Sequence, residues 1–163
     1  MFDRHALLRI RRRDWQHLIG ELGRRGQGGR EAGAFLLGER AGDGRTVTGI
    51  VYFDDLDPHC LTGGIAMNGL AFSRLWDLCD QQNRRVLGDV HTHPGFGVRQ
   101  SGTDAANPMV ARAGHVALIV PHLAQRPIQS RRVGVHRYDG RRFDTWTDAA
   151  ARRRLRLTSW WWR

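Results

Sequence analysis

The chain has 163 residues, 40 % of them hydrophobic, and a net charge of +10. This length suits one domain with a single core, and the spread of apolar residues along the chain excludes a disordered or fibrous protein. No apolar run approaches the roughly 20 residues that span a bilayer, and the amino terminus has no apolar segment of signal-peptide length. We therefore expect a soluble, cytoplasmic protein with no membrane partner.

The first half of the chain is predicted to form a strand, a helix and two further strands. Residues 6–10 form a short strand, and within residues 14–24 the apolar side chains recur at helical spacing. Glycines in the stretch 26–29 end this helix. Residues 32–37 are a continuous apolar run typical of a buried strand, and residues 46–53 are a β-branched strand beside it.

The second half is predicted to contain a helix, a strand, a short helix, a strand and a hairpin, at residues 68–84, 86–90, 103–111, 115–120 and 133–146. Asn68 is a suitable N-cap for the first of these helices, and its buried face would include Leu70, Leu75 and Cys79. An Asp-Gly pair marks the hairpin turn. Strands that alternate with helices, together with a hairpin, indicate an α/β (α+β) single domain with a mixed sheet flanked by helices.

The stretch from Gly88 to Asp104, GDVHTHPGFGVRQSGTD, carries the residues of greatest chemical interest. His91 and His93 leave a predicted strand two positions apart, so both imidazoles point to the same side of an extended backbone. Asp104, at the start of the next predicted helix, adds a carboxylate. Two histidine nitrogens and one carboxylate oxygen form a catalytic zinc set that leaves a fourth position for water. The pattern therefore predicts that these three residues bind one metal ion.

The same residues also have a purely structural explanation. Ser101 and Asp104 show the Ser-x-x-Asp spacing of a helix capping box, and the two histidines would then be ordinary loop residues. Either half of the pattern alone would favour this explanation. We favour the metal site because both halves occur together, at a spacing that matches a known signature.

The sequence resembles the JAMM/MPN+ (JAB domain) zinc metallopeptidases. His-x-His-Pro at 91–94, followed after seven residues from His93 by Ser-x-x-Asp at 101–104, matches their signature. The segment EAGAFLLG, which begins at Glu31, is similar to an upstream strand of the family, although Ala34 stands where glycine is commoner. The resemblance implies a JAB/MPN-type domain with a mixed, curved sheet and one catalytic zinc ion.

The resemblance also implies a catalytic glutamate. The chain has three glutamates, at positions 21, 31 and 39. Glu31 and Glu39 would lie on the same side of a regular strand, so periodicity alone does not choose between them. The family pattern selects Glu31, which would take a proton from the attacking water and return it to the leaving amine. The Ser101 hydroxyl would help to stabilise the oxyanion of the tetrahedral intermediate.

Four further side chains receive structural predictions. Asp89 would either orient a histidine ligand as a hydrogen-bond acceptor or lie at the surface. His115 is interpreted as structural and not as a ligand. Cys60 and Cys79 are expected to stay reduced, with Cys79 facing the core.

The family also suggests a substrate class. JAMM enzymes mostly cleave peptide or isopeptide bonds after the carboxyl tail of ubiquitin or ubiquitin-like proteins. The sequence around the motif resembles small bacterial JAB proteins associated with E1-like and E2-like conjugating enzymes, so we expect a ubiquitin-like protein or its conjugates as substrate and such enzymes as partners. Gly95, Gly97 and Gly102 would either let a thin, glycine-ended tail approach the metal or simply make the loop turn. Such a tail would bind as an added strand beside the sheet. Trimming of sulfur-carrier precursors is a further possibility.

Two other classes of function were weighed. RadC-like nucleic-acid-associated proteins share a JAMM-like motif, and a basic chain attracts nucleic acid. Their usual wording differs from His-Thr-His-Pro-Gly-Phe here, and no basic stripe interleaved with aromatic residues occurs, so we expect no nucleic-acid partner. A non-catalytic MPN scaffold is the remaining alternative, and the presence of every expected catalytic residue argues against it.

The carboxyl-terminal residues are unusual in composition. We place the JAB/MPN domain at residues 1–150 and interpret residues 151–163 as a basic, tryptophan-rich tail. Trp160, Trp161 and Trp162 cannot easily all be buried, because adjacent side chains point in different directions; packing on the core and binding of a partner are the alternatives. All 26 basic residues are arginines, which either GC-rich coding or avoidance of lysine modification would explain.

Overall fold

A computed structural model of the chain describes residues 5–159. Within that range the chain forms eight β-strands and five α-helices. The strands are β1 (Leu8–Arg11), β2 (Gly33–Glu39), β3 (Gly49–Tyr52), β4 (Arg84–Thr92), β5 (Val116–Val120), β6 (Gly134–Tyr138), β7 (Phe143–Trp146) and β8 (Leu155–Thr158). The helices are α1 (Arg12–Gly26), α2 (Phe53–Leu56), α3 (Gly69–Gln81), α4 (Gly102–Ala106) and α5 (Asp148–Arg154).

Six strands form the main sheet, in the order β3-β2-β4-β5-β6-β7. β4 and β5 are parallel, and every other neighbouring pair in this sheet is antiparallel. The predicted α/β class, with a mixed sheet flanked by helices, is confirmed. The β2–β4 register pairs Gly33 with His91 and Glu39 with Arg84. This register puts the beginning of β2 beside the end of β4 that carries the histidine motif.

The hydrophobic core explains why these segments become strands and helices. β5 is buried at every position and β2 at every position except Glu39, as expected for continuous apolar runs in the middle of a sheet. On α1 the buried side chains recur at helical spacing: Trp15, Leu18, Ile19 and Leu22. Burial of each such side chain contributes about 1.5–3 kcal/mol relative to exposure. The Trp15 indole N–H also donates a 2.8 Å hydrogen bond to the carbonyl of Ile128.

A second, small sheet joins the two ends of the described chain. β1 and β8 pair in parallel, with Leu8 opposite Leu155. α5 leads directly into β8, and Ala151 and Leu155 are buried. The predicted boundary between domain and tail, at residue 150, therefore falls inside α5, and residues 151–158 belong to the folded domain. Trp160, Trp161 and Trp162 lie outside the described residues.

Two predicted elements are longer than the elements observed. The helix predicted at residues 103–111 is limited to α4, which ends two residues before Pro108. Proline has no N–H for the helical hydrogen bond, and its ring disfavours the α conformation in the preceding residue. The strand predicted at residues 46–53 is limited to β3, because Phe53 begins α2.

α3 confirms the predicted N-cap and corrects one side chain of its buried face. The Asn68 side chain accepts a 2.9 Å hydrogen bond from the Ala71 N–H. The buried side chains are Ala71, Leu75 and Cys79, four residues apart. Leu70 was assigned to the same face and is instead 60 % exposed, because it lies in the first turn, one position away from that stripe.

Two expectations from composition were also examined. Cys60 and Cys79 are both buried, so the core-facing position of Cys79 is confirmed. Between residues 5 and 159, no helix combines the length and the apolar content needed to cross a bilayer.

Candidate metal centre

The two histidines of the motif are positioned by the backbone of the main sheet. His91 is the penultimate residue of β4, paired with Gly33 of β2 on one side and Ile119 of β5 on the other. His93 lies just beyond the strand, where its N–H donates a 2.8 Å hydrogen bond to the carbonyl of Val120. His91 is buried and His93 is half-buried. Backbone hydrogen bonds therefore fix the positions of the main chain from which both imidazoles extend.

His91, His93 and Asp104 come together as predicted. The Nε2 atoms of His91 and His93 are 3.3 Å apart, and the Asp104 Oδ2 atom lies 3.6 and 3.2 Å from them respectively. Ligands at about 2.0–2.1 Å from a tetrahedral zinc ion are separated by about 3.3 Å. Among the described residues this is the group of side chains that can jointly hold a metal ion. Donor types and spacings both fit a zinc-like cation with one position left open.

The capping box is present, and it is compatible with a metal-binding role for Asp104. The Ser101 hydroxyl oxygen accepts a hydrogen bond from the Asp104 N–H at 3.1 Å, and Asp104 Oδ2 accepts one from the Ser101 N–H at 2.9 Å. The box fixes the Asp104 rotamer, so the carboxylate faces the histidines without further support. Ser101 is exposed at the start of α4, and the bond to Asp104 does not consume its hydroxyl proton.

Asp89 and His115 lie behind His91. Asp89 Oδ2 is 3.7 Å from His91 Nδ1, and Asp89 Oδ1 is 2.6 Å from His115 Nε2. Asp89 is only 2 % exposed, so the alternative that placed it at the surface is wrong. Its negative charge therefore faces the nitrogen of His91 that points away from Asp104, at a distance longer than a hydrogen bond. His115 is buried and holds the carboxylate, in agreement with its predicted structural role.

These contacts shift the pKa values of the site residues. Burial lowers the pKa of His91, but the Asp104 and Asp89 carboxylates outweigh burial and raise it to about 9. Burial raises the pKa of Asp104, but hydrogen bonds from His91, His93 and the Ser101 N–H outweigh it and hold that pKa well below its usual range. Burial also raises the pKa of Asp89, but His115 and His91 outweigh burial and lower that pKa. Both carboxylates are therefore ionised at neutral pH, and their negative charge favours a bound cation.

Glu31 lies at the metal end of β2. It precedes the strand by two residues, and its N–H donates a 3.1 Å hydrogen bond to the carbonyl of Gly63. Burial raises the pKa of Glu31, and the charges of His91 and His93 oppose that rise only in part. The charges of both histidines therefore act on this carboxyl, which holds a proton more readily than an exposed glutamate does.

The other two glutamates lie elsewhere. Glu39 is at the far end of β2, where it accepts a 3.0 Å hydrogen bond from the Thr48 hydroxyl and lies 3.5 Å from Arg84 Nε. A strand of this length spans about 20 Å, so β2 separates Glu39 from the metal end. Glu21, on α1, pairs with Arg24 and Arg25. The structure thus distinguishes Glu31 from Glu39, which strand periodicity alone left undecided.

The loop of residues 94–101, here called the site loop, is held by residues that the sequence did not single out. His136 Nε2 lies 2.9 Å from the carbonyl of Val98. Gly134 is also required, since a Cβ atom there would meet that same carbonyl oxygen. Phe96 stands at the tip of the loop and is 86 % exposed. A histidine directly after the apolar Val135 of a strand was the sequence signal for this anchor.

A left-handed turn supports the same loop from the other side. His122, Leu123 and Ala124 have φ angles of 57, 51 and 55°, a conformation that costs energy in residues other than glycine. The N–H groups of His122 and Leu123 donate 2.8 Å hydrogen bonds to the carbonyls of Gly95 and His93. These bonds tie the turn directly to the backbone of a metal-ligand candidate.

Comparison with known proteins gives a fold and no family. No protein-family model matches the chain. The structure is similar to the solution structure of protein DSY2949 from Desulfitobacterium hafniense, with a TM-score of 0.64 and 18 % identity over 93 % of each chain. It is also similar, with a TM-score of 0.45 and 14 % identity, to AF2198, a JAB1/MPN domain protein from Archaeoglobus fulgidus, over 85 % of this chain and 94 % of that one. The likeness to DSY2949 shows a fold shared over nearly the whole of both chains, and membership of the JAMM/MPN+ family stays a prediction.

Proposed function

We propose that this protein is a zinc metallopeptidase of the JAMM/MPN+ type, which cleaves the peptide or isopeptide bond after the carboxyl tail of a ubiquitin-like protein. The observation that carries the proposal is the convergence of three ligand atoms, 3.2–3.6 Å apart, with a half-buried glutamate beside them. A closed structural zinc site would need a fourth protein ligand. Among residues 5–159 the set has three, which is the number found in hydrolytic sites.

Each side chain has a distinct part in this chemistry. When bound, zinc activates a water molecule and polarises the scissile carbonyl. His91, His93 and Asp104 hold the metal, and Asp89 orients the His91 ring. Glu31, whose pKa is raised by burial, is suited to accept a proton from the attacking water and pass it to the leaving amine. The exposed Ser101 hydroxyl is available to donate to the developing oxyanion.

The site loop supports a narrow peptide as substrate. A Cβ atom at Gly95, Gly97 or Gly102 would meet no described protein atom within 4 Å, so internal packing does not require glycine at these positions. Glycine there keeps the approach to the metal open for a backbone without side chains. Phe96 adds an exposed apolar surface beside that approach, where it can contact a hydrophobic residue of the tail.

The proposal is tested by cleavage of fusions between ubiquitin-like tails and a reporter protein. Native enzyme, chelator-treated enzyme, Glu31→Gln and Glu39→Gln would be compared, with bound zinc measured in each. The last variant is the matched control, because Glu39 lies at the opposite end of the same strand. We expect the native enzyme and Glu39→Gln to cleave after the tail in a metal-dependent way. Glu31→Gln should not cleave, even at full zinc content.

Other outcomes point elsewhere. Cleavage by Glu31→Gln at the native rate would remove Glu31 from the mechanism. Failure of the fully zinc-loaded protein to cut any tail in a broad panel would favour the scaffold or the RadC-like alternative. Binding of nucleic acid that weakens steeply with salt would then support the latter.

A further inference from the structure

A large groove lies away from the candidate metal ligands. It has a volume of about 1120 Å³ and runs between α1, α5, β8 and the segment 124–131. Its floor is apolar: buried side chains such as Trp15 and Leu155 lie beneath it, and the exposed Pro127 and half-buried Leu157 present apolar surface to solvent. An apolar floor open to solvent on a folded domain marks a surface where another molecule can bury hydrophobic area.

The rim of this groove is strongly basic. Five arginines line it, Arg12, Arg126, Arg131, Arg152 and Arg156, and none of the described lining residues is acidic. Five cations around one apolar floor produce a positive potential that an anionic partner would neutralise. We call this feature the arginine-rimmed groove.

We infer that the arginine-rimmed groove is a docking site for an acidic amphipathic peptide segment of a partner protein. The apolar floor would receive hydrophobic side chains on one face of the segment, and the rim would pair with its carboxylates. A nucleic acid fits less well, because the aromatic residue of the lining, Trp15, is 2 % exposed and uses its indole N–H on Ile128. Among the described lining residues, bases would find no exposed ring on which to stack.

The groove is connected to the candidate metal centre through the left-handed turn of residues 122–124. Ala124 belongs to the left-handed turn and lines the groove, and Leu123 beside it donates to the His93 carbonyl. On the other side, Gln125 lines the groove and its side chain donates to the Gly23 carbonyl of α1. A docked segment would therefore contact the residues that follow this turn. The inference itself does not rest on the proposed peptidase activity, and binding can be measured without it.

Neighbouring arginines provide a matched test. Arg12, Arg131 and Arg152 line the groove, whereas the next residue in each case, Arg13, Arg132 and Arg153, does not, and all six are exposed. Two triple variants follow: R12E/R131E/R152E in the groove and R13E/R132E/R153E outside it. Both change the net charge equally, on the same elements. Circular dichroism and thermal unfolding would establish that both are folded.

The probe is a fluorescent peptide of about 14 residues, or four helical turns, with leucine along one face and glutamate elsewhere. Fluorescence anisotropy would measure its binding to the full chain. We expect saturable binding that weakens as salt is added, at least about tenfold weaker binding by the groove variant, and a much smaller change in the outside variant. A peptide with lysine in place of glutamate should not bind.

Three results would overturn the inference. Equal weakening in both triple variants would mean that net charge alone attracts the probe. Binding of single-stranded RNA, lost in the groove variant while the peptide does not bind, would assign the groove to nucleic acid. Peptide binding that appears only after residues 160–163 are deleted would assign the groove to the chain's own carboxyl-terminal segment.

Discussion

The carboxylate of Asp89 and the imidazole of His115 are joined by a 2.6 Å hydrogen bond, and both side chains are 3 % exposed. Asp89 is on β4, and His115 is one residue before β5, the neighbouring strand of the sheet. Together they form the wall behind His91. The candidate metal centre therefore extends one layer deeper into the core than its three ligands.

Replacing Asp89 should weaken metal binding. Asp89→Asn keeps the shape of the side chain and removes the charge that faces His91 Nδ1, so we expect zinc affinity to fall about 10- to 100-fold. Competition with a zinc-binding dye would measure it. Asp144→Asn, which breaks an ion pair with Arg137 on β6 and β7, is the control and should bind zinc normally. Unchanged affinity in Asp89→Asn would contradict an orienting role.

Replacing His115 should destabilise the fold. His115→Ala leaves the buried Asp89 carboxylate without its closest hydrogen-bond partner, and a buried charged group without a partner costs about 3 kcal/mol. Denaturant titration of the chelator-treated protein would measure the free energy of unfolding. The exposed His17 offers the comparison, since His17→Ala should change stability by less than about 0.5 kcal/mol. A loss that small in His115→Ala would be evidence against the buried pair.

Gly33 should be intolerant of any side chain. A Cβ atom at this position would lie 2.3 Å from Phe53 Cε2 and 2.6 Å from the Val90 carbonyl oxygen, so Gly33→Ala must displace β2 from β4 at the level of His91. We expect a loss of about 1–3 kcal/mol in stability together with weaker zinc binding. Gly20→Ala, on the exposed side of α1 with no atom within 4 Å, should be neutral or stabilising. Normal zinc affinity in Gly33→Ala would show that the strand pairing tolerates the shift.

The ionised form of Glu31 should lower the free energy of unfolding at neutral pH. Burial raises its pKa in the folded state, so the folded protein holds this proton more tightly than the unfolded chain does. The stabilising contribution is complete below the unfolded pKa of about 4.3 and is lost as pH rises through the folded pKa. At pH 7, chelator-treated Glu31→Gln should therefore unfold at higher denaturant than the parent, and the difference should vanish near pH 4. A Glu31→Gln protein less stable than the parent at pH 7 would refute this.

The contribution of Glu21 to the free energy of unfolding should depend on pH in the opposite direction. The hydrogen bond from Arg24, aided by Arg25 and opposed by burial, lowers its pKa to about 2. Its contribution is present above the unfolded pKa of about 4.3 and is lost as pH falls toward 2. Because the pair is partly solvated, we expect Glu21→Gln to lose only about 1 kcal/mol at pH 7, and less at pH 3. Denaturation curves at both pH values, with the exposed Asp77→Asn as control, would show whether the loss shrinks on acidification.

Local sequence patterns predicted the elements in which a pattern is itself the cause of the structure. The apolar stripe of α1, the buried runs of β2 and β5 and the Asp-Gly hairpin between β6 and β7 are all present. The ligand set was predictable because strand geometry and a short spacing bring His91 and His93 to one side. Elements with weak periodicity were missed: α5 and β8 are short, and arginines fill much of their sequence.

Contacts between distant segments could not be predicted in the same way. The choice between Glu31 and Glu39 depends on the antiparallel register of β2 and β4, which brings one end of β2 to the ligands and not the other. The partnership of Asp89 with His115 spans two strands and carries no local signal. An aspartate inside the apolar run of β4 was a hint, because a charge placed among buried residues needs a partner.

The parallel pairing of β1 with β8 has a consequence for the order of folding. Leu8 meets Leu155 across almost the entire described chain, and closing so long a loop is entropically unfavourable until the intervening residues have condensed. We therefore expect the small sheet to assemble late in folding. Leu155 also forms part of the floor of the arginine-rimmed groove. Brief excursions that separate β1 from β8 would thus dismantle the groove while β4 keeps the histidines in place, and amide hydrogens of β8 would exchange with solvent faster than those around His91.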